Sequence, residues 1–180
     1  MNRIDKEATQ RLADQISVMD RAEEFGPILH SLVVSTGEDN KVDGTALYPL
    51  VSRLGVRAVV DFLLGLRFIG TAEDGPLFVR LMNDESEDIR VRTACLELVG
   101  HHQIQSASPS LLTLLRHDRA EIRYWAIDAL YWLATANAED EIRRLQSDEE
   151  IGWAGETVGS RARQALKRLA EDRKEERPRF

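Results

Sequence analysis

The side chains suited to chemistry in this 180-residue chain are four histidines, one cysteine, an excess of carboxylates and a run of aromatics. The histidines are His30, His101, His102 and His117. Adjacent histidines such as His101 and His102 point about 100° apart on a helix and cannot grip one ion together. Metal coordination is therefore poorly served, and no metal or cofactor is expected. Cys95 falls on an apolar stripe, where a thiol behaves as a small apolar group and keeps a high pKa. A single cysteine also excludes an internal disulfide. No G-x-S-x-G, P-loop or G-x-G-x-x-G sequence is present. Nothing singles out an acid/base pair among the carboxylates. No catalytic residue is expected, and the chain reads as a non-enzyme. The most informative group is aromatic: Tyr124, Trp125, Tyr131 and Trp132 form two doublets seven residues apart.

The elements that must position these residues are helical. Four segments share one pattern: VRAVVDFLLG from Val56, VRTACLELVG from Val91, IRYWAIDALY from Ile122 and VGSRARQALK from Val158. Apolar or small residues fall at offsets 0, 4, 7 and 8, which gather on one stripe of a helix at about 100° per residue. The stripes are Val56, Val60, Leu63 and Leu64; Val91, Cys95, Leu98 and Val99; Ile122, Ala126, Ala129 and Leu130, extended by Leu133; and Val158, Ala162, Ala165 and Leu166, extended by Leu169. Shorter apolar helices precede them. Gly75-Pro76 and Ser108-Pro109 look like helix starts with Pro in the first turn. Asp84, Asp118 and Asp148 mark the turns that follow the short helices. At the N-terminus Ile4, Ala8, Leu12, Ile16 and Met19 keep a helical spacing. Gly26-Pro27 interrupts, and a short apolar helix follows. The expected architecture is all-α, an α-solenoid of about five helix pairs. Residues 1–42 form a degenerate capping pair, 43–170 the repeats and 171–180 a frayed charged tail.

The repeat resembles the HEAT repeat, above all the short form of the bilin lyase-like group. The resemblance rests on the V-R-x-x-A-x-x-A-L-G pattern, best matched by Ile122-Arg123, Ala126 and Ala129-Leu130, and covers residues 43–170. It implies a scaffold with many uses and no fixed activity. It also implies a ladder between neighbouring repeats made by Asp84, Arg92, Asp118 and Arg123. The first unit departs by lacking the Asp turn, and the last by carrying Gly159 where the family has Arg. HEAT-type hydroxylases hold iron with His-Glu pairs, and no His-Glu dipeptide occurs here.

Second helices line the concave side of a HEAT stack. Tyr124 and Tyr131 lie opposite the buried stripe and are expected to face solvent on that inner surface, with Trp125 and Trp132 on its flank. Phe62, Glu97, His101, Asp128, Arg163 and Lys167 are expected to project from the same surface. Tyr and Trp give large contact area at low entropy cost, so Tyr124, Tyr131 and Trp132 are the expected anchors for a partner protein. On this reading, Tyr124→Ala with Tyr131→Ala weakens partner binding and leaves helicity intact.

Charge narrows the partner. The net charge is -7, which opposes generic binding to nucleic acid. From Arg161 to Phe180 eight basic side chains face four acidic ones, a local +4 that leaves -11 elsewhere. The most apolar window, Leu54 to Gly70, is broken by Arg57, Asp61 and Arg67 and cannot span a bilayer. MNRIDKEATQ lacks the apolar stretch of a secretory signal, so a cytoplasmic location is expected. The leading expectation is a protein–protein interaction scaffold that binds neither nucleic acid nor membrane and is able to pair weakly with itself. The alternatives implied by resemblance are a bilin lyase-like chromophore-handling protein and a DNA-binding protein like the HEAT-like alkylpurine glycosylases.

Overall fold

The computed structural model describes residues 4–36, 41–135 and 138–175. They are mostly helical, as the periodicity predicts. The α-helices are α1 (Lys6–Ser17), α2 (Phe25–Thr36), α3 (Gly44–Ser52), α4 (Val56–Ile69), α5 (Gly75–Asn83), α6 (Ile89–His101), α7 (Ser108–Leu114), α8 (Ala120–Leu133), α9 (Ala138–Arg144) and α10 (Val158–Glu175). A short ribbon, β1 (Ile151–Trp153) with β2 (Glu156–Thr157), precedes α10. The chain divides into two compact units, Met1–Leu98 and Val99–Phe180, and the division falls inside α6.

Local chemistry sets the helix ends. The Asp5 carboxylate accepts from the Glu7 and Ala8 amides, and the Asp43 carboxylate from the Ala46 amide. These bonds satisfy donors that a helix start leaves open. Pro76 and Pro109 sit in the first turns of α5 and α7, where a missing N–H costs nothing. Gly26-Pro27 lies within the first turn of α2, so the chain turns earlier, between α1 and Phe25. Residues 37–40, between α2 and α3, lie outside the described residues. The expected fraying does not begin at 171, because α10 continues through Glu175; the remainder of that tail lies outside the described residues.

In the first unit α1 packs on α3, α3 on α4 and α2 on α4. The buried side chains include Leu12, Ile16, Phe25, Leu47, Phe62, Leu63, Leu66 and Phe78. The rings of Phe25 and Phe62 meet edge to face at 6.2 Å. Beside this core the buried Asp74 carboxylate accepts the Thr71 and Thr45 amides at 3.1 and 2.9 Å. Burial pushes its pKa up, and the two amide bonds oppose that shift.

In the second unit α8 is the central helix. It packs against α7, α9, α10 and β1. Its expected stripe of Ile122, Ala126, Ala129, Leu130 and Leu133 is buried, and so are Val158, Ala162, Ala165 and Leu169 of α10. Leu166 is half-buried. The stripe of α6 is buried as well. On α4 the expectation fails: Val56, Val60 and Leu64 do not enter the core, which is built from Ala58, Val59, Phe62, Leu63, Leu66 and Ile69. Ten of the fourteen α4 residues are apolar other than glycine, so spacing alone leaves its inward face undefined.

Candidate docking surfaces

The expected anchors on α8 are corrected. Tyr124 is 5% exposed and Tyr131 8% exposed. The face opposite the stripe is covered by the ribbon and α10 rather than left to solvent. Gly152 of β1 lies so close to Tyr124 that an added Cβ would come within 2.5 Å of the tyrosine Cβ. The Tyr124 hydroxyl donates to Glu156 at 2.7 Å, and the Arg161 guanidinium lies over its ring at 5.4 Å. The Tyr131 hydroxyl donates to Asp172 at 3.3 Å, with Arg168 6.0 Å from its ring centre. Asp128 is not a free inner-surface carboxylate either. It accepts from Arg161, and both side chains are largely shielded. Burial holds the Arg161 guanidinium below its usual pKa. The Trp125 indole is half-buried, edge to face with Trp153 at 5.6 Å. Among the described residues its N–H has no hydrogen-bond partner.

The other expected binding residues are divided between the two units. Phe62 is buried in the core of the first unit. Glu97, in the same unit, accepts from Arg67 at 2.6 Å. In the second unit His101 is exposed, edge to face with His102 at 4.9 Å. Trp132 is partly exposed. Arg163 is exposed and donates to the Gln146 carbonyl, and the exposed Lys167 pairs with Glu171 at 3.8 Å.

The side chains named for the implied ladder have other partners in the structure. Arg123 is buried. It donates to the Asp148 carboxylate at 2.9 Å, to Glu150 at 2.9 Å, and to the carbonyls of His117 and Asp118 at 2.7 and 2.9 Å. Burial disfavours its charge, but the Glu150 and Asp148 bonds outweigh it and raise the pKa above the usual value. Asp118 thus contributes its backbone. Arg92 donates to the Met82 carbonyl at 3.1 Å. The Asp84 carboxylate accepts from Ser86 within its own turn, and those bonds lower its pKa.

Cys95 is fully buried, and burial pushes its thiol up. Among the described residues no group of three or more His, Cys, Asp or Glu side chains is placed to hold a metal ion. No described helix is long and apolar enough to cross a membrane.

The feature that spacing pointed to, but assigned to the core, is the outer face of α4. Val56 is 36% exposed, Leu64 45% and Phe68 58%, with Val60 half-buried between them. Each step of four residues advances by about 40°, so the four make one contiguous stripe along the helix. Exposed Arg57 and Arg67 belong to the same helix, Arg67 donating to Glu97 at 2.6 Å, while Arg53 caps α3 and donates to the Ile16 carbonyl. Residues on the opposite side of α4 are held by close approach: an added Cβ on Gly65 would meet Leu29 of α2 at 2.8 Å. The helix is therefore locked in this rotation, and its outer apolar row is not shared with the core. In the second unit the ribbon also shows apolar groups, Ile151 and Trp153, outward.

No protein-family model matches the chain, no curated protein matches it, and no solved structure matches it.

Proposed function

We propose that this chain is a non-enzymatic, cytoplasmic protein-interaction module built on HEAT-like repeats in an α-solenoid, and that its partner docks on the outer face of α4. The observation that carries this reading is the exposed row Val56, Val60, Leu64 and Phe68. Singly exposed apolar residues need no explanation, but a contiguous row on one rigid helix does. Burying it stabilises a complex by about 25 cal/mol for each Å² of apolar surface removed from water. The row is backed by a packed core, so it is already ordered before a partner arrives, which lowers the entropy cost of docking.

The test is a comparison of wild type with a Leu64→Asp, Phe68→Asp double variant. Both positions are exposed, so the circular dichroism spectrum and melting curve should stay close to wild type. Proteins recovered by wild type and lost by the variant in affinity capture support the reading. Identical recovery by both proteins refutes it.

A further inference from the structure

The ribbon over α8 is fixed firmly at its base and lightly at its tip. At the base the Val158 amide donates to the Glu150 carbonyl at 3.0 Å, and the Gly159 amide to the Asp148 carbonyl at 2.8 Å. Arg123 of α8 holds the same corner through Asp148 and Glu150. Near the tip the side-chain bonds to the helices converge on one carboxylate. Glu156 accepts from the Tyr124 hydroxyl of α8 at 2.7 Å and from the Gln164 amide of α10 at 3.0 Å. Between base and tip β1 buries only Gly152, while Ile151 and Trp153 are exposed. The ribbon therefore removes little apolar side chain of its own from water, and a two-stranded ribbon is marginal without such burial.

Closure also leaves polar groups dry. Among the described residues the buried side-chain N–H groups without a hydrogen-bond partner are those of Trp125 Nε1 and Arg161 Nε. Both adjoin Tyr124: the Trp125 ring lies 5.7 Å from the phenol ring, and the Arg161 guanidinium lies over that ring at 5.4 Å. A buried donor without an acceptor forgoes the bond that water would give it. The connecting turn adds a further cost, because Ala154 takes a left-handed φ of 48°.

We infer that the ribbon is a lid. Residues 151–157 leave α8 as one piece about the base at Glu150 and Val158, while the helices stay folded. Glu156 is the latch, and opening uncovers the Tyr124 ring and the Trp125 N–H. Segments that bury few apolar contacts open at a free energy well below that of global unfolding. The inference concerns the second unit and is independent of the docking reading on α4.

The experiment is hydrogen exchange on the full chain, followed by nuclear magnetic resonance in urea below the unfolding transition. The reporters are the Trp125 indole N–H, beside the lid, and the Leu130 amide, inside α8. The indole proton is expected to exchange faster than the Leu130 amide and with a shallower dependence on urea. Tyr124→Phe removes one of the two latch bonds and should speed indole exchange about fivefold. Ile142→Val, in the buried core beside α9, weakens the whole unit and should speed Leu130 exchange about fivefold while leaving the indole unchanged. If the indole follows Leu130 in urea and in both variants, the ribbon departs only when the helices unfold, and the lid is overturned. If neither variant changes indole exchange, water reaches Trp125 with the ribbon shut, and the lid is overturned as well.

Discussion

The Tyr124 phenol donates to the Glu156 carboxylate at 2.7 Å, tying the central helix of the second unit to the ribbon that covers it. The same bond is the largest influence lowering the Glu156 pKa, ahead of the Gln164 amide. Tyr124 is therefore a structural residue, and its substitution tests the fold. Tyr124→Phe removes one hydrogen bond to a charged acceptor that water can reach, at a cost of about 1 kcal/mol. Tyr124→Ala empties a buried aromatic site and should cost about 3–5 kcal/mol. Urea denaturation distinguishes the two. Equal midpoints for Tyr124→Ala and wild type would contradict the buried position.

Alkali provides a second test. The pKa values of Tyr124 and Tyr48 are both pushed up from 10.0 to about 12, first by burial and then by the carboxylates of Glu156 and Glu87 that accept their protons in hydrogen bonds. A folded pKa above the unfolded one means that the folded state holds the proton more tightly. The stability linked to these groups is fully present below pH 10 and is lost as pH rises towards 12. Melting temperature measured across that range should fall, and the fall should be smaller in Tyr124→Phe. A flat profile would show that the two phenols ionise freely.

How far the fold could be read from the sequence depended on how sparse each helix's apolar residues are. On α6, α8 and α10 polar residues interrupt the pattern, and the stripes at offsets 0, 4 and 8 were legible; they lie inward with only Leu166 half-exposed. On α4 apolar residues occupy most positions, and the small Ala58 and Gly65 decide the inward face by letting neighbouring helices approach. The tyrosines of the aromatic doublets are buried for a different reason. The segment Ile151–Thr157 pairs as a ribbon over Tyr124. The signal was present in Ala154-Gly155, which adopt φ of 48° and 83° and make the tight turn that joins two antiparallel strands. Without that cover Tyr124 would indeed face water.

Arg123 allows the buried charges to be ranked. Its side chain is almost wholly shielded and so is Asp148, while the Glu150 side chain is 66% exposed. Arg123→Lys keeps the charge but cannot reach four acceptors with a planar fork, and should destabilise by about 2 kcal/mol. Glu150→Gln removes only an exposed partner and should stay within about 0.5 kcal/mol of wild type. Chemical denaturation of both variants checks the ranking. A larger loss from Glu150→Gln would mean that the exposed partner, not the shielded one, dominates.

Gly159 gives the sharpest test of the second unit. It stands where the HEAT pattern that the chain resembles carries Arg. Its amide donates to the Asp148 carbonyl at 2.8 Å, so the start of α10 is drawn onto the turn after α9. An added Cβ would lie 2.7 Å from the Gln146 carbonyl oxygen and 2.8 Å from that of Asp148. These are backbone atoms and cannot swing aside as a side-chain tip can. Gly159→Ala should therefore destabilise by about 2 kcal/mol or more even though Ala is the better helix former by about 1 kcal/mol. Gly159→Arg, which restores the repeat pattern, should be worse still, because the same Cβ clash precedes a long charged chain. Thermal melts of the two variants give the order wild type, Gly159→Ala, Gly159→Arg. A Gly159→Ala protein more stable than wild type would show that α10 does not rest on the Asp148 turn, and would separate the helix from the Arg123–Asp148 pair beneath it.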